Sequence, residues 1–319
     1  MIRKFLSLLV ALSLLALPAA FAEKAAPVRV GALKGPTAMG MVQMMADKAD
    51  AYDFTLAAAP DEIVPLLVKG ELDIAAVPAN LGSVLYNNTQ GAVKALAINT
   101  LGVLYIVERG DTVHSVADLK GRTLVTAGKG STPEYALNYI LRGNGLDPEA
   151  DVTIEFKSEH AECLAAMLQD DSVVAMLPQP FATVAQAKAG DIRIALDLTK
   201  EWDALQAGSD APSTMITGVA VARADFVEQN PDAVEQFLAD YAESVKFAQE
   251  DVEGAAQLIG QFDIFEAGPA QKALPYCNIV FIDGEDMKTR LSGYLAALLE
   301  QDPAAVGGAL PGDDFYYAK

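Results

Sequence analysis

Short apolar runs alternate with amphipathic runs along the first two thirds of the chain. The apolar runs lie at 28–32, 54–59, 73–79, 93–99 and 102–109, and again at 123–127, 152–157, 173–178 and 192–198. They show no alternation of polar and apolar residues, which is typical of strands covered on both faces by helices. This order predicts an α/β fold with mainly parallel sheets, built from two successive units.

The pattern changes after residue 226. Asn230-Pro231 predicts the start of a long helix, in which Val234, Phe237 and Tyr241 fall on one face. More helices follow, and no further strand of any length is expected. Because these helices must pack on something already built, we expect them to return to the first unit. The predicted domains are lobe 1 at 27–108 plus 218–319 and lobe 2 at 110–198, with crossovers near 102–110 and 198–220.

The first residues carry a targeting signal. Arg3 and Lys4 precede a short apolar stretch at 5–17, and Ala20-Phe21-Ala22 forms a small-x-small site. This predicts a signal peptide at 1–22 with cleavage after Ala22, hence an exported, periplasmic protein. The stretch is short for a spanning helix. No later segment is apolar enough to span a bilayer, so no direct membrane insertion is expected.

Charge and composition exclude several classes. The chain has 23 Lys+Arg against 43 Asp+Glu, which argues against binding nucleic acid. With two histidines and two cysteines, a His/Cys metal cluster is nearly excluded, and no metal site, cofactor or catalytic residue is expected. Export permits a disulfide between Cys163 and Cys277, but buried, unpaired thiols fit the sequence as well.

A glycine-rich turn, AGKGSTPEY at 127–135, joins an apolar run to a helical one. Its lysine does not fit the GxxxxGK[ST] register of a nucleotide-binding loop. Two interpretations remain. Ser131 or Thr132 either caps the helix or joins the backbone N–H groups of the helix start in holding an oxyanion. This segment alone favours the cap.

Other turns follow strands in the same way. GALKGPT at 31–37 repeats the arrangement, and the turns at 78–83, 158–162 and 178–181 also follow apolar runs. Because open α/β sheets bind ligands beyond the carboxyl ends of their strands, two facing lobes would bring these turns to one cleft. The Glu159-His160 pair suggests acid–base catalysis. Sequence neighbours do not face each other on a helix, and no activated nucleophile accompanies the pair, so contact with ligand or solvent is favoured.

Together these segments resemble the exported solute-binding proteins of ABC importers, which have the two-lobed type II periplasmic-binding-protein fold. The similarity is to the branch that binds sulfonates, taurine, nitrate and thiamine precursors. It rests on VRVGALKGPT (28–37), LVKGELDIAAVPANL (67–81), SVADLKGRTLVTAGKGSTPEYALNYIL (115–141) and AECLAAMLQDDSVVAMLPQPF (161–181). The resemblance implies a monomeric, non-enzymatic receptor. It would capture a small solute by hinge closure and deliver it to an ABC permease with its ATPase.

The resemblance also implies a set of ligand contacts. These are Gly35, Pro36, Thr37, Ala38, Pro78, Ala79, Asn80, Gly130, Ser131, Thr132, Glu159, His160 and Gln179. Family members often carry a tryptophan and an acidic residue where this chain has Pro178-Gln179-Pro180. The ligand, anionic or heterocyclic, therefore stays open. The alternatives are a sensing module for a membrane receptor and an enzyme related to thiamine-pyrimidine synthesis.

Overall fold

The computed structural model describes residues 26–208 and 213–318. The predicted signal peptide at 1–22 and its predicted cleavage site lie outside these residues. The strands are β1 (Val28–Leu33), β2 (Tyr52–Ala57), β3 (Ile74–Pro78), β4 (Val93–Leu101), β5 (Leu104–Arg109), β6 (Thr123–Ala127), β7 (Thr153–Lys157), β8 (Val174–Pro178), β9 (Ile192–Asp197), β10 (Ile216–Arg223) and β11 (Ile279–Ile282). They form a six-stranded sheet of order β11-β4-β10-β3-β1-β2 and a five-stranded sheet of order β7-β6-β8-β5-β9.

Helices cover both sheets. They are α1 (Pro36–Met39), α2 (Val42–Asp47), α3 (Pro60–Val68), α4 (Ala79–Asn88), α5 (Thr132–Gly143), α6 (His160–Gln169), α7 (Phe181–Lys188), α8 (Leu198–Gln206), α9 (Ala224–Gln229), α10 (Pro231–Glu250), α11 (Val252–Gln261), α12 (Ala267–Ala273) and α13 (Gly284–Gln301). Short 3-10 helices lie at Val116–Leu119, Leu274–Tyr276, Pro303–Val306 and Asp313–Phe315. We call the six-stranded sheet with its helices the first lobe, and the five-stranded sheet with its helices the second lobe.

The predicted α/β fold is confirmed, but the sheets are mixed rather than mainly parallel. In the first lobe β10 runs antiparallel to both β3 and β4, and in the second lobe β5 runs antiparallel to both β8 and β9. Each of these is the first strand after the chain passes from one sheet to the other. Such a strand enters its new sheet from the opposite end, which reverses its direction relative to its neighbours.

The C-terminal part contains a strand that the sequence analysis did not expect. Strand β11 pairs antiparallel with the edge of β4, with Ile279 opposite Thr100 and Ile282 opposite Ile98. The expectation of helices alone after residue 226 was therefore wrong. The strand is four residues long and its register shifts between the two pairs, so it left no extended apolar run in the sequence. The surrounding helices do pack on the first lobe, where α10 buries Val234, Phe237 and Tyr241.

The two lobes meet on the side of the crossovers through an aromatic cluster. Trp202 of α8 lies between Tyr139 of α5 and Tyr294 of α13, with ring centroids 4.2 Å and 5.2 Å away. Tyr139 and Trp202 belong to the second lobe and Tyr294 to the first. Cys163 and Cys277 are both buried and unpaired, and burial raises the pKa of each thiol to about 12. The alternative of buried thiols therefore holds.

Candidate ligand-binding site

A cavity of about 290 Å³ lies between the lobes. Its wall is formed largely by turns that follow strands. The β1–α1 and β2–α3 turns come from the first lobe, and the β6–α5, β7–α6 and β8–α7 turns come from the second. Residues 264–265, before α12, close the first-lobe side. The geometry follows from the sheets, because strands that run in the same direction end at the same edge.

The cavity brings together eight of the thirteen residues proposed from the sequence. These are Gly35, Pro36, Thr37, Pro78, Ser131, Glu159, His160 and Gln179. Five others are not part of the wall, namely Ala38, Ala79, Asn80, Gly130 and Thr132. Lys34 and Phe181 also line the cavity, and both lie in turns that were expected at the cleft. The lining residues that the sequence did not mark include Ala58, Ala59, Pro60, Thr100, Thr217, Ile264 and Phe265.

Asn80 and Thr132 bind each other instead of facing the cavity. Both are fully buried, and the Thr132 hydroxyl donates to Asn80 Oδ1 at 3.1 Å. Asn80 Nδ2 donates in turn to the carbonyl of Ala305 at 3.0 Å. Since α4 belongs to the first lobe and α5 to the second, this pair is a buried polar contact between the lobes.

The other three residues outside the wall have simpler reasons. Ala38 and Ala79 lie within or at the start of helices and are fully buried. Gly130 is exposed, and its N–H donates to the carboxylate of Glu134 at 2.5 Å. Ser131 therefore lines the cavity, whereas the residues on either side of it, Gly130 and Thr132, do not.

Helix starts from both lobes form the polar part of the wall. Helices α1, α5 and α6 begin at Pro36, Thr132 and His160, each directly after or at a lining residue. Pro36 and Pro133 carry no N–H, and the N–H groups of Ala38, Glu134 and Glu162 donate to the carbonyls of Gly35, Ser131 and Glu159. Only the remaining N–H groups of these first turns are available to a ligand. Gly35, before α1, has φ 136°, a conformation that side chains rarely adopt.

Two of the cavity hydroxyls are already engaged as donors. The hydroxyl of Thr37 donates to the carbonyl of Leu33 at 2.9 Å, and that of Ser131 donates to the carbonyl of Gly128 at 2.7 Å. Ser131 occupies the N-cap position of α5, but its side chain makes no capping hydrogen bond. The capping interpretation is therefore right about the position of Ser131 and wrong about its hydrogen bond. Because these hydroxyl protons are used, their oxygens face a ligand mainly as acceptors.

The wall contains one cationic and one acidic side chain, Lys34 and Glu159. Lys34 Nζ lies 2.7 Å from Oδ2 of Asp263, a carboxylate that is itself largely in solvent. Burial lowers the pKa of His160 to about 4, so its ring is neutral near pH 7. Its Nδ1 atom is buried and has no hydrogen-bond partner within the described part of the chain.

The rest of the wall is apolar and aromatic. Five prolines line it, at positions 36, 60, 78, 133 and 178. Phe181 of the second lobe meets Phe265 of the first edge to face, with ring centroids 5.1 Å apart and planes at 87°. The ring of His160 lies 5.8 Å from that of Phe181. A ligand that fills this cavity therefore contacts an apolar surface with a few polar groups, the usual composition of a small-molecule site.

Neither a metal centre nor a membrane span emerges from the described ranges. Within 26–208 and 213–318, no group of three or more His, Cys, Asp or Glu side chains is placed to hold a metal ion. Over the same residues, no helix is both long and apolar enough to cross a bilayer.

The chain belongs to the family of phosphonate periplasmic substrate-binding proteins of ABC transporters, whose family model matches residues 42–272. This confirms the class that the resemblance implied: a periplasmic substrate-binding component of an ABC importer, in a family that implies a small-molecule ligand and a permease partner. A search of curated protein sequences gave no match.

Solved structures share the fold. An ABC transporter protein of Parabacteroides distasonis has a TM-score of 0.75 at 23% identity, over 92% of this chain and 99% of that one. The aliphatic sulphonate binding protein SsuA of Escherichia coli has a TM-score of 0.72 at 17% identity, covering 91% and 92%. The alkanesulfonate-binding protein SsuA of Xanthomonas axonopodis pv. citri, solved bound to MOPS, has a TM-score of 0.68 at 16% identity, covering 91% and 96%.

Proposed function

We propose that this protein captures a small organic anion, of the phosphonate or sulfonate type, in the cavity between its lobes. The observation that carries the proposal is that α5 and α6 of the second lobe both begin at the cavity wall, which also contains one cation, Lys34 of the first lobe. Unpaired N–H groups and the helix dipole favour an oxyanion at such a place. The family, and the sulfonates named for two of the similar structures, support the same ligand chemistry.

A heterocyclic solute with a ring N–H is the second candidate. The carboxylate of Glu159 and the engaged hydroxyl oxygens would accept from such a ring, and the proline-rich wall would cover its faces. The two candidates differ in charge, so one substitution separates them. An anion needs Lys34, whereas an uncharged ring that donates to Glu159 does not.

The test is a thermal-shift screen with methylphosphonate, methanesulfonate and phosphate against uncharged pyrimidines. A ligand at 100 times its Kd adds about 2.7 kcal/mol to the free energy of unfolding, which is easily seen as a rise in Tm. Lys34→Gln should weaken the shift with anions. Asp263→Asn is the matched control, because it removes the partner of Lys34 but keeps the cation, and it should leave anion binding intact or stronger. An anion shift that survives in Lys34→Gln would contradict the anion proposal.

The movement of the lobes belongs to the same proposal. We infer that the lobes close on the solute about residues 102–103, between β4 and β5, and about residues 213–215, directly before β10. In this proposal the protein is exported after cleavage at Ala22, acts as a monomer, and catalyses no reaction. Compaction in solution scattering on adding the ligand supports it, and turnover of the ligand by the purified protein would refute the non-enzymatic part.

A further inference from the structure

A groove of about 470 Å³ lies outside the cavity, between α6 and α7 of the second lobe and residues 263–266 of the first. Four residues, Lys34, Phe181, Ile264 and Phe265, line both spaces. The groove therefore adjoins the cavity. The two spaces are separated by the edge-to-face contact of Phe181 and Phe265.

This partition consists of side chains from different lobes. Phe181 is the first residue of α7, and Phe265 lies in the loop before α12. Both rings are partly exposed. Because the contact is made by side chains alone, a rotation of either ring would join the two spaces without breaking a backbone hydrogen bond.

The groove is apolar at its floor and charged at its edge. Leu164, Leu168 and Val184 contribute aliphatic side chains, with Ala161 and Ala165 beside them on α6. Its charged residues are Lys34, Lys188, Asp263 and Glu266, of which Lys34 and Asp263 are paired with each other. Such a surface fits an uncharged alkyl or aryl group and offers no charged partner at its floor.

We propose that the groove is a subsite for the apolar tail of the solute whose anionic head lies in the cavity. The ligand class is then an organic anion with an extended hydrocarbon chain, which passes between Phe181 and Phe265. This inference rests on the proposed function for the position of the head. Its own support is the shared wall of the two spaces and the aliphatic floor beyond the partition.

The experiment is isothermal titration calorimetry with straight-chain alkylphosphonates of one to eight carbons. Complete burial of one methylene tightens binding about fourfold. We therefore expect roughly a two- to fourfold decrease in Kd per added carbon once the chain is long enough to reach the groove. The heat capacity change on binding should become more negative over the same range.

Two variants locate the effect. Ala165→Asp and Ala161→Asp place a carboxylate on the groove at exposed positions of α6, where substitution is compatible with folding. Each should weaken octylphosphonate binding at least tenfold more than methylphosphonate binding. Val68→Asp is the control, an equally exposed apolar-to-acid change on α3, away from the groove, and it should affect both ligands alike.

The outcomes separate this inference from the proposal on which it rests. Binding of methylphosphonate with no gain, or a loss, on lengthening the chain refutes the tail subsite and leaves the head-group proposal standing. A gain that Ala165→Asp and Ala161→Asp do not reduce also refutes the subsite, because the chain would then lie elsewhere. Failure of every member of the series to bind refutes both.

Discussion

The buried contact between Asn80 and Thr132 predicts a measurable coupling between the lobes. Thr132→Val keeps the shape of the side chain but removes the hydroxyl that donates to Asn80 Oδ1 at 3.1 Å. Asn80→Ala removes that acceptor and also the amide that donates to the Ala305 carbonyl. Both side chains are fully buried, so water does not replace the lost bonds.

The magnitude follows from the groups left without a partner. A buried polar group that loses its hydrogen bond costs about 1–3 kcal/mol. Thr132→Val leaves Asn80 Oδ1 without its donor and also removes the acceptor of a long, 3.5 Å hydrogen bond from the Asn80 backbone N–H. It should lower the free energy of unfolding by about 1–3 kcal/mol. Asn80→Ala leaves two such groups, on Thr132 and Ala305, and should cost about 2–5 kcal/mol. In the double variant the Thr132 hydroxyl is gone as well, so the combined loss should fall short of the sum by about 1 kcal/mol.

The assay is urea unfolding of the four proteins of this double-mutant cycle, with the midpoint and slope fitted for each. Ser83→Ala is the matched control, since Ser83 lies on the same helix, is equally buried and donates to Val306 within the first lobe. It should destabilise the protein without any coupling to Thr132→Val. Strictly additive effects of Asn80→Ala and Thr132→Val, or single losses below about 0.5 kcal/mol, would show that the contact does not join the lobes.

Two further predictions concern His160 and Gly102. The pKa of His160 is lowered to about 4 by burial from an ordinary 6.5, so the unfolded chain takes up this proton first as the pH falls. The free energy of unfolding should therefore fall between pH 6.5 and 4, by less than about 3 kcal/mol because His160 as a residue is only half-buried. This component should vanish in His160→Asn, and parallel pH curves for the two proteins would contradict it. A Cβ at Gly102 would overlap the side chain of Thr199 and lie 2.6 Å from Met215, so Gly102→Ala should cost roughly 1–3 kcal/mol in urea unfolding. Gly190→Ala, where the space is open, is the control, and equal costs for the two would refute the crowding argument.

The sequence predicted where the cavity lies better than it predicted which residues form the cavity wall. The rule that ligands bind beyond the carboxyl ends of strands located Ser131, Glu159 and Gln179 correctly at the cavity wall. The apolar run at 54–59 places Ala58 and Ala59 in a strand, whereas β2 ends at Ala57 and these two residues lie in the turn that lines the cavity. Whether any of the lining residues binds a ligand stays a prediction.

Other features depend on contacts between segments that are distant in sequence. Ile264 and Phe265 reach the cavity from a loop between two C-terminal helices, where no local pattern marks them as lining residues. Thr132 directly follows Ser131, but its side chain binds Asn80, 52 residues earlier in the chain, instead of lining the cavity. Strand β11 is too short for periodicity, and its pairing with β4 is what makes it a strand.

The position of β10 in the first lobe has a consequence for how the chain is assembled. The strands of the second sheet come from one continuous segment, residues 104–197, so this sheet is complete as soon as that segment has been made. The first sheet instead leaves a gap between β3 and β4 that only residues 216–223 can fill. Until then, two apolar strands present unpaired backbone edges, which are the surfaces that most readily pair with another chain. In any process that delivers the chain from its N-terminus, the facing edges of β3 and β4 thus stay unpaired until the whole second lobe has emerged.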